Sequence, residues 1–200
     1  MENPETPDTP PAAEGLEKQG LEEIVHALKE SADPKVRQYA AYLLGKARDP
    51  RAIQPLLEAL ADCEKPVREQ ATLALSSIGK AAIQPLIETL REPKWQTRYR
   101  AAEALGRIAD ETAVKPLIRT LRDSRDHVRY MAAKGLWGLG DSRAVEPLVI
   151  LLKDENRYVR LMAVRALAAI GGRTVREALT EAASREPDEK VREAIREALG

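Results

Sequence analysis

The stretch "RAIQPLLEALADCEKPVREQATLALSSIG", Arg51 to Gly79, decides the fold. Its first half spaces apolar residues helically around Pro55, in an opening turn where a missing N–H costs little. Its second half puts Val67, Ala71, Leu75 and Ile78 on one side of an amphipathic helix, which Gly79 stops. Two short helices of this kind cannot bury both apolar stripes alone, so the unit needs stacked neighbours.

Those neighbours are in the chain. A Val-Arg or Thr-Arg pair recurs with its arginine at Arg37, Arg68, Arg98, Arg129, Arg160 and Arg192, at spacings of 31, 30, 31, 31 and 32 residues. Pro55, Pro85, Pro116 and Pro147 give an independent marker, at spacings of 30, 31 and 31. The expectation is an all-α fold, a right-handed α-solenoid of about six stacked two-helix repeats over approximately 21–50, 51–80, 81–111, 112–142, 143–172 and 173–200. Alanine crowds the second helices and phenylalanine is absent, which suits thin helices packed closely. Arg196 stands where Ala41, Ala102, Ala133 and Val164 stand in other repeats, as expected of a last repeat with no successor.

Residues 1–20 read differently. They hold Pro4, Pro7, Pro10 and Pro11 and almost no large apolar side chain, so they are expected to form a disordered acidic tail. Their net charge of −4 leaves about +4 on the remainder.

The repeat "RAIQPLLEALAD…VREQATLALSSIG" and its copies over roughly residues 21–200 resemble the short HEAT-like repeats of E/F-type phycobilin lyase subunits and of many prokaryotic proteins. The resemblance implies an acidic residue six places before each arginine, the two forming a ladder along the stack. Asp62, Glu92, Asp123 and Asp154 fit, whereas repeats one and six, with longer turns, are expected to break the rule.

Composition narrows the function classes. No apolar run approaches the roughly 18 residues of a membrane span, and the N-terminal residues lack a signal-peptide pattern, so a cytoplasmic protein with no membrane partner is expected. The single cysteine, Cys63, closes no intrachain disulfide. Lys plus Arg and Asp plus Glu balance at 32 each, which leaves no global field to draw in a polyanion.

Chemistry is sparse. His26 and His127 have no histidine partner at helical spacing, so no metal site is expected. The sequence contains no His-Glu dipeptide, the motif through which deoxyhypusine hydroxylase, another HEAT-repeat enzyme, holds iron. "GLWGLGD" follows no strand, and its glycines read as helix stops rather than a nucleotide loop. No acid–base pair stands out among the carboxylates. The chain is therefore expected to be non-catalytic, with no catalytic residue and no cofactor.

The second helices are more informative. At about 100° per residue, positions one, five and eight after each arginine point away from the apolar stripe and, by the resemblance, line a concave face. That face holds Tyr99, Tyr130, Trp137 and Leu161 where polar side chains are expected, with Arg100, Lys134 and Arg165 nearby. Trp137 stands where Gly45, Ser76, Gly106 and Ala168 stand in other repeats, so the periodic core does not require it. Tyr39, Met131 and Met162, two places after their arginines, read instead as packing residues.

The leading expectation is a protein-interaction scaffold that binds a partner segment on this face through Tyr99, Arg100, Tyr130, Lys134, Trp137, Leu161 and Arg165. The alternative, from the resemblance, is a subunit of a phycobilin lyase-like or other tetrapyrrole-handling complex. Nucleic-acid binding ranks below both, because Glu69, Glu103, Glu193 and Glu197 interrupt any basic track.

Overall fold

The computed structural model describes residues 7–200. The described residues form twelve α-helices, no strand, and two compact units, Met1–Ala104 and Leu105–Gly200. The first unit holds α1 (Leu21–Glu30), α2 (Pro34–Ala47), α3 (Ile53–Ala59), α4 (Lys65–Ile78), α5 (Ile83–Thr89) and most of α6 (Trp95–Ile108). The second holds the end of α6, then α7 (Val114–Thr120), α8 (Asp126–Leu139), α9 (Val145–Leu151), α10 (Arg157–Ile170), α11 (Arg173–Ala183) and α12 (Glu189–Leu199).

Inside each unit the helices stack pairwise in two layers, as the period requires. In the first, α1 pairs with α2 and α3 with α4; α2 lies against α4, and α1, α3 and α5 follow one another. In the second, α7 pairs with α8, α9 with α10 and α11 with α12; α8, α10 and α12 adjoin in order, and α9 meets α11. Leucines at equivalent register, Leu44 and Leu75 in one unit and Leu136 and Leu167 in the other, are fully buried. The first helices of the inner repeats are short. Each begins as a 3-10 turn, such as Pro50–Ala52, and continues as seven residues of α-helix with its proline third.

Glycine ends three second helices, with Gly79, Gly140 and Gly171 at φ values of 78°, 61° and 70°. At the same register Arg48 and Ala109 adopt φ values of 53° and 54°, a left-handed conformation that costs an L-residue about 1–2 kcal/mol. Ala109→Gly is therefore expected to stabilise the protein by about 0.5–1 kcal/mol after allowing for glycine's freer unfolded chain. A denaturation midpoint unchanged or lowered would contradict it. In "GLWGLGD" only Gly140 is a stop; Gly135 and Gly138 lie within α8, contrary to the sequence reading.

The arginine ladder differs from expectation in its partners. Arg37, Arg129 and Arg160 reach back to backbone carbonyls of their own turns and forward to a carboxylate of the next repeat, whereas Arg68 holds only the carbonyls of Asp62 and Cys63 and Arg192 pairs with Glu189 of its own helix. Arg37 donates to Ser31 O at 2.9 Å and to both carboxylate oxygens of Asp62 at 2.8 and 2.9 Å. Arg129 repeats this with Asp123 O and Asp154, and Arg160 with Asp154 O and Glu186. Each acid also accepts the backbone N–H two residues on, as Asp62 does from Glu64, so it fixes the turn while tying two repeats together. Repeat six obeys the rule, because Glu186 stands six places before Arg192 and the extra residue lies upstream of it. Burial pulls the Asp62 carboxyl upward, yet the hydrogen bonds from Arg37 and from the Glu64 N–H outweigh it and leave its pKa below the ordinary value.

Residues 7–20, expected to be disordered, carry two 3-10 turns, Pro11–Ala13 and Leu16–Lys18. Ala13 and Leu16 are buried, the first turn against α2 and the second against α1, so this segment covers the open end of the first pair. The rest of the expected tail, residues 1–6, lies outside the described residues. At the other end Arg196 is exposed and bonded to Glu189, which leaves a polar face on α12.

Aspartate caps, Asp49, Asp110 and Asp141, hold three of the 3-10 turns. Asp141 accepts from the Arg143 N–H at 2.8 Å and from its guanidinium, which together lower its pKa from 3.8 to about 2. A carboxylate held low in the folded state stabilises the fold above its unfolded pKa, and that contribution disappears as pH falls through the folded value. Asp141→Asn is thus expected to flatten the loss of stability between about pH 4 and pH 2, by under about 1 kcal/mol because solvent screens the pair. Parallel denaturation curves for the two proteins across that window would contradict it.

Candidate functional site

The second helices present their core side chains to the first-helix layer, so their opposite faces in each unit are free to carry other residues. In the first unit that face holds Glu69 and Leu73 of α4 with Tyr99 and Glu103 of α6, all half-buried. Arg100, expected as a rim cation, is 8% exposed. Its guanidinium bonds Glu103 at 2.8 Å and Glu69 at 3.0 Å and stacks on the Tyr99 ring at 5.3 Å. The reason is its register. Arg100 lies two places after Arg98, the same position as Tyr39, Met131 and Met162, and all of these are buried against neighbours as packing residues. Arg100 is thus a buried link between α4 and α6, and Tyr99 is covered by it.

In the second unit the same face is open. Tyr130 and Leu161 are half-buried on α8 and α10, Lys134 and Arg165 are exposed, and Trp137 is 48% exposed. Tyr130, Lys134 and Trp137 follow one another at helical spacing along α8, while Leu161 and Arg165 do so on the adjoining α10. Two aromatic side chains, one leucine and two cations therefore share a surface of two adjacent helices. Of the seven residues singled out in the sequence, these five are brought together in one unit, and Tyr99 and Arg100 belong to the other.

Two exposed residues escaped the sequence reading of the site. Tyr158, at the start of α10, is 56% exposed, with the Arg157 guanidinium 4.8 Å from its ring centre. Arg157 also donates to the Tyr158 hydroxyl at 2.9 Å, which holds the phenol below its usual pKa, and pairs with Asp188 at 3.1 Å. Ile150, on α9, is 63% exposed. Its signal was present in the sequence: the equivalent positions in three other repeats are Glu58, Glu88 and Arg119.

A cleft of about 270 Å³ opens between α9 and α11, with Val149, Leu152, Ala178 and Ala182 on its apolar walls and the Arg160–Glu186 pair at one end. Ala182 occupies the place that Leu151 fills in the preceding repeat, which leaves the groove under-filled. The Arg160 guanidinium there is bonded to Glu186 and to the carbonyls of Asp154 and Glu155. Among the described residues no cluster of His, Cys, Asp and Glu is arranged to hold a metal ion, and no helix is long and apolar enough to cross a membrane.

Comparison with known proteins agrees with this architecture. The phycocyanobilin lyase subunit alpha of Picosynechococcus sp. is 33% identical over 103 residues, which cover 46% of this chain and 38% of that protein. The matched region thus spans under half of that relative's length. In three dimensions the chain is similar to a chain of the CpcE–CpcF complex of phycocyanin lyase from Nostoc sp., with a TM-score of 0.71, 24% identity, and coverage of 76% of this chain and 100% of the other. An engineered protein gives a TM-score of 0.55 at 24% identity, covering 90% of this chain and 94% of the other, and confirms the all-α, HEAT/armadillo-like solenoid class. The model of the HEAT repeats family matches residues 21–93, 83–149 and 120–200, nearly all of the chain beyond its first twenty residues. The protein belongs to the HEAT repeat family.

Proposed function

We propose that this protein is a subunit of a phycobilin lyase-like complex, in which its HEAT pairs bind a partner protein and supply surface rather than reacting groups. The observation that carries the reading is the 33% identity to a phycocyanobilin lyase subunit alpha, supported by the three-dimensional likeness to a chain of the CpcE–CpcF complex. The chemistry of the second unit fits such a role. Trp137 and Tyr130 offer flat apolar faces, and Lys134 and Arg165 offer cations for carboxylates, whether on a protein segment or on the propionates of a bilin.

The interaction-scaffold reading describes the same surface without the bilin. It draws on the exposure of Trp137 beside Tyr130 and Leu161, since aromatic side chains are enriched at protein–protein interfaces. Two measurements separate the readings. Capture of the full chain from its native lysate, followed by size-exclusion chromatography, is expected to yield a heteromer containing a second HEAT-repeat chain. Incubation of that heteromer with phycocyanobilin is expected to shift and sharpen the visible absorption band. A heteromer with no change in the bilin spectrum leaves the scaffold alone; a chain that elutes by itself and leaves the spectrum unchanged overturns both.

A further inference from the structure

We infer that the α8–α10 face takes an acidic helical segment of a partner protein, with an apolar side chain seated on Trp137 and carboxylates reaching Lys134 and Arg165. This rests on the reading above that the face binds protein, and adds the sign and form of what it binds.

The argument starts from charge at equivalent register. At positions one, five and eight after the arginine, α4 and α6 carry Glu69 and Glu103, and α12 carries Glu193 and Glu197. Helices α8 and α10 carry no acid at those positions, and their two charged residues there are Lys134 and Arg165. Both are exposed, and neither makes an ion pair or side-chain hydrogen bond among the described residues. The other arginines of these two helices behave differently: Arg129, Arg157 and Arg160 are each held by a carboxylate. On these two helices, then, the arginines at the turns are held by carboxylates, and the two cations beside the half-exposed tryptophan are left to solvent.

Form follows from the helix spacing. Lys134 and Trp137 are three residues apart and project from one side of α8, and Arg165 projects from the adjoining helix. A partner helix with anchors at i, i+3 and i+4 matches this spacing. Two cations neutralise at most two phosphates, too few to hold a nucleic acid at physiological salt.

The test titrates the full chain with two fluorescein-labelled, 14-residue helical peptides that share one leucine stripe, one flanked by glutamates and the other by lysines, and reads anisotropy at low and physiological salt. The glutamate peptide is expected to bind about tenfold more tightly, with the gap narrowing as salt rises. In Lys134→Glu/Arg165→Glu the preference is expected to vanish or reverse. Trp137→Ala is expected to weaken the glutamate peptide about tenfold while helicity by circular dichroism is unchanged. Equal affinity for the two peptides, a preference that survives the double charge reversal, or tighter binding of a single-stranded oligonucleotide of the same length each overturns the inference. A bilin band without any peptide charge preference keeps the lyase-like reading and removes the acidic segment. A charge preference that follows Lys134 and Arg165 in a chain with no bilin band keeps the acidic segment and removes the lyase-like reading.

Discussion

Arg160→Ala is expected to speed amide hydrogen exchange in α11 and α12 by about a hundredfold while leaving α1 to α4 at their original rates. The Arg160 side chain is one of the most enclosed charges in the protein. Arg160 is 9% exposed and Glu186 8%, and the guanidinium meets the carboxylate through two bonds, of 2.9 and 2.7 Å. Its remaining nitrogen satisfies the carbonyls of Asp154 and Glu155, so one side chain completes four contacts at the joint between α10 and the turn that opens α12. Truncation leaves a shielded carboxylate held by the Asp188 N–H, and removes the donor from two carbonyls. An uncompensated buried charge costs about 3 kcal/mol, which is roughly two decades in an opening equilibrium. The consequence is local because stacked repeats are stabilised by neighbour interfaces, and this pair ties the last repeat to the one before it. Arg173→Ala, which removes an exposed i,i+4 partner of Glu177, is expected to change the same rates by less than about threefold. Comparable effects of the two substitutions would show that the ladder contributes no more than a surface pair.

How far this joint could be read in advance depends on which interactions are periodic. The arginines and the acids six places before them recur in the sequence, so their structural role was legible from Asp62, Asp123 and Asp154. Their pairing was not, because spacing along the chain favours Asp62 with Arg68, whereas stacking places Asp62 beside Arg37. Only three-dimensional register decides between a neighbour six residues away and one twenty-five away. The same limit explains Arg100. Its sequence neighbours suggested a solvated rim cation, but its position two after the ladder arginine turns it toward α4, where Glu69 meets it. Tyr130, Lys134 and Trp137 were legible because their positions fall opposite an unambiguous apolar stripe, and the exposure of Trp137 follows from that geometry. The N-terminal turns were missed for another reason. Ala13 and Leu16 are two small burial events in a proline-rich stretch, too few to register as a pattern, yet enough to cover the free end of α1 and α2.

Gly106→Leu is expected to destabilise the second unit by about 3 kcal/mol, and Gly138→Ala to stabilise it by about 0.5–1 kcal/mol, although both glycines lie inside helices. A Cβ on Gly106 would stand 2.7 Å from the Gly135 Cα, a backbone atom that cannot swing aside, so α6 and α8 must separate or unwind. Gly135 has the reciprocal constraint, with the Gly106 Cα at 3.3 Å and the Leu117 Cδ1 at 3.0 Å from its added Cβ. Gly138 meets nothing nearer than the Gly106 carbonyl oxygen at 3.9 Å, so alanine there gains helix propensity without a clash. Chemical denaturation of the two variants decides the matter, and shifts of the same sign would contradict the close approach. Trp137 holds the register of Gly106, but it belongs to the seam with α10, where the facing residue by the same offset is Ala166 rather than glycine. Ala166 is fully buried and Trp137 is 48% exposed, so these helices meet closely too and the indole lies outside their contact rather than within it. A glycine at the eighth position after the arginine lets backbones touch at one seam of α8, and a tryptophan at the same position adds a half-exposed aromatic to the other.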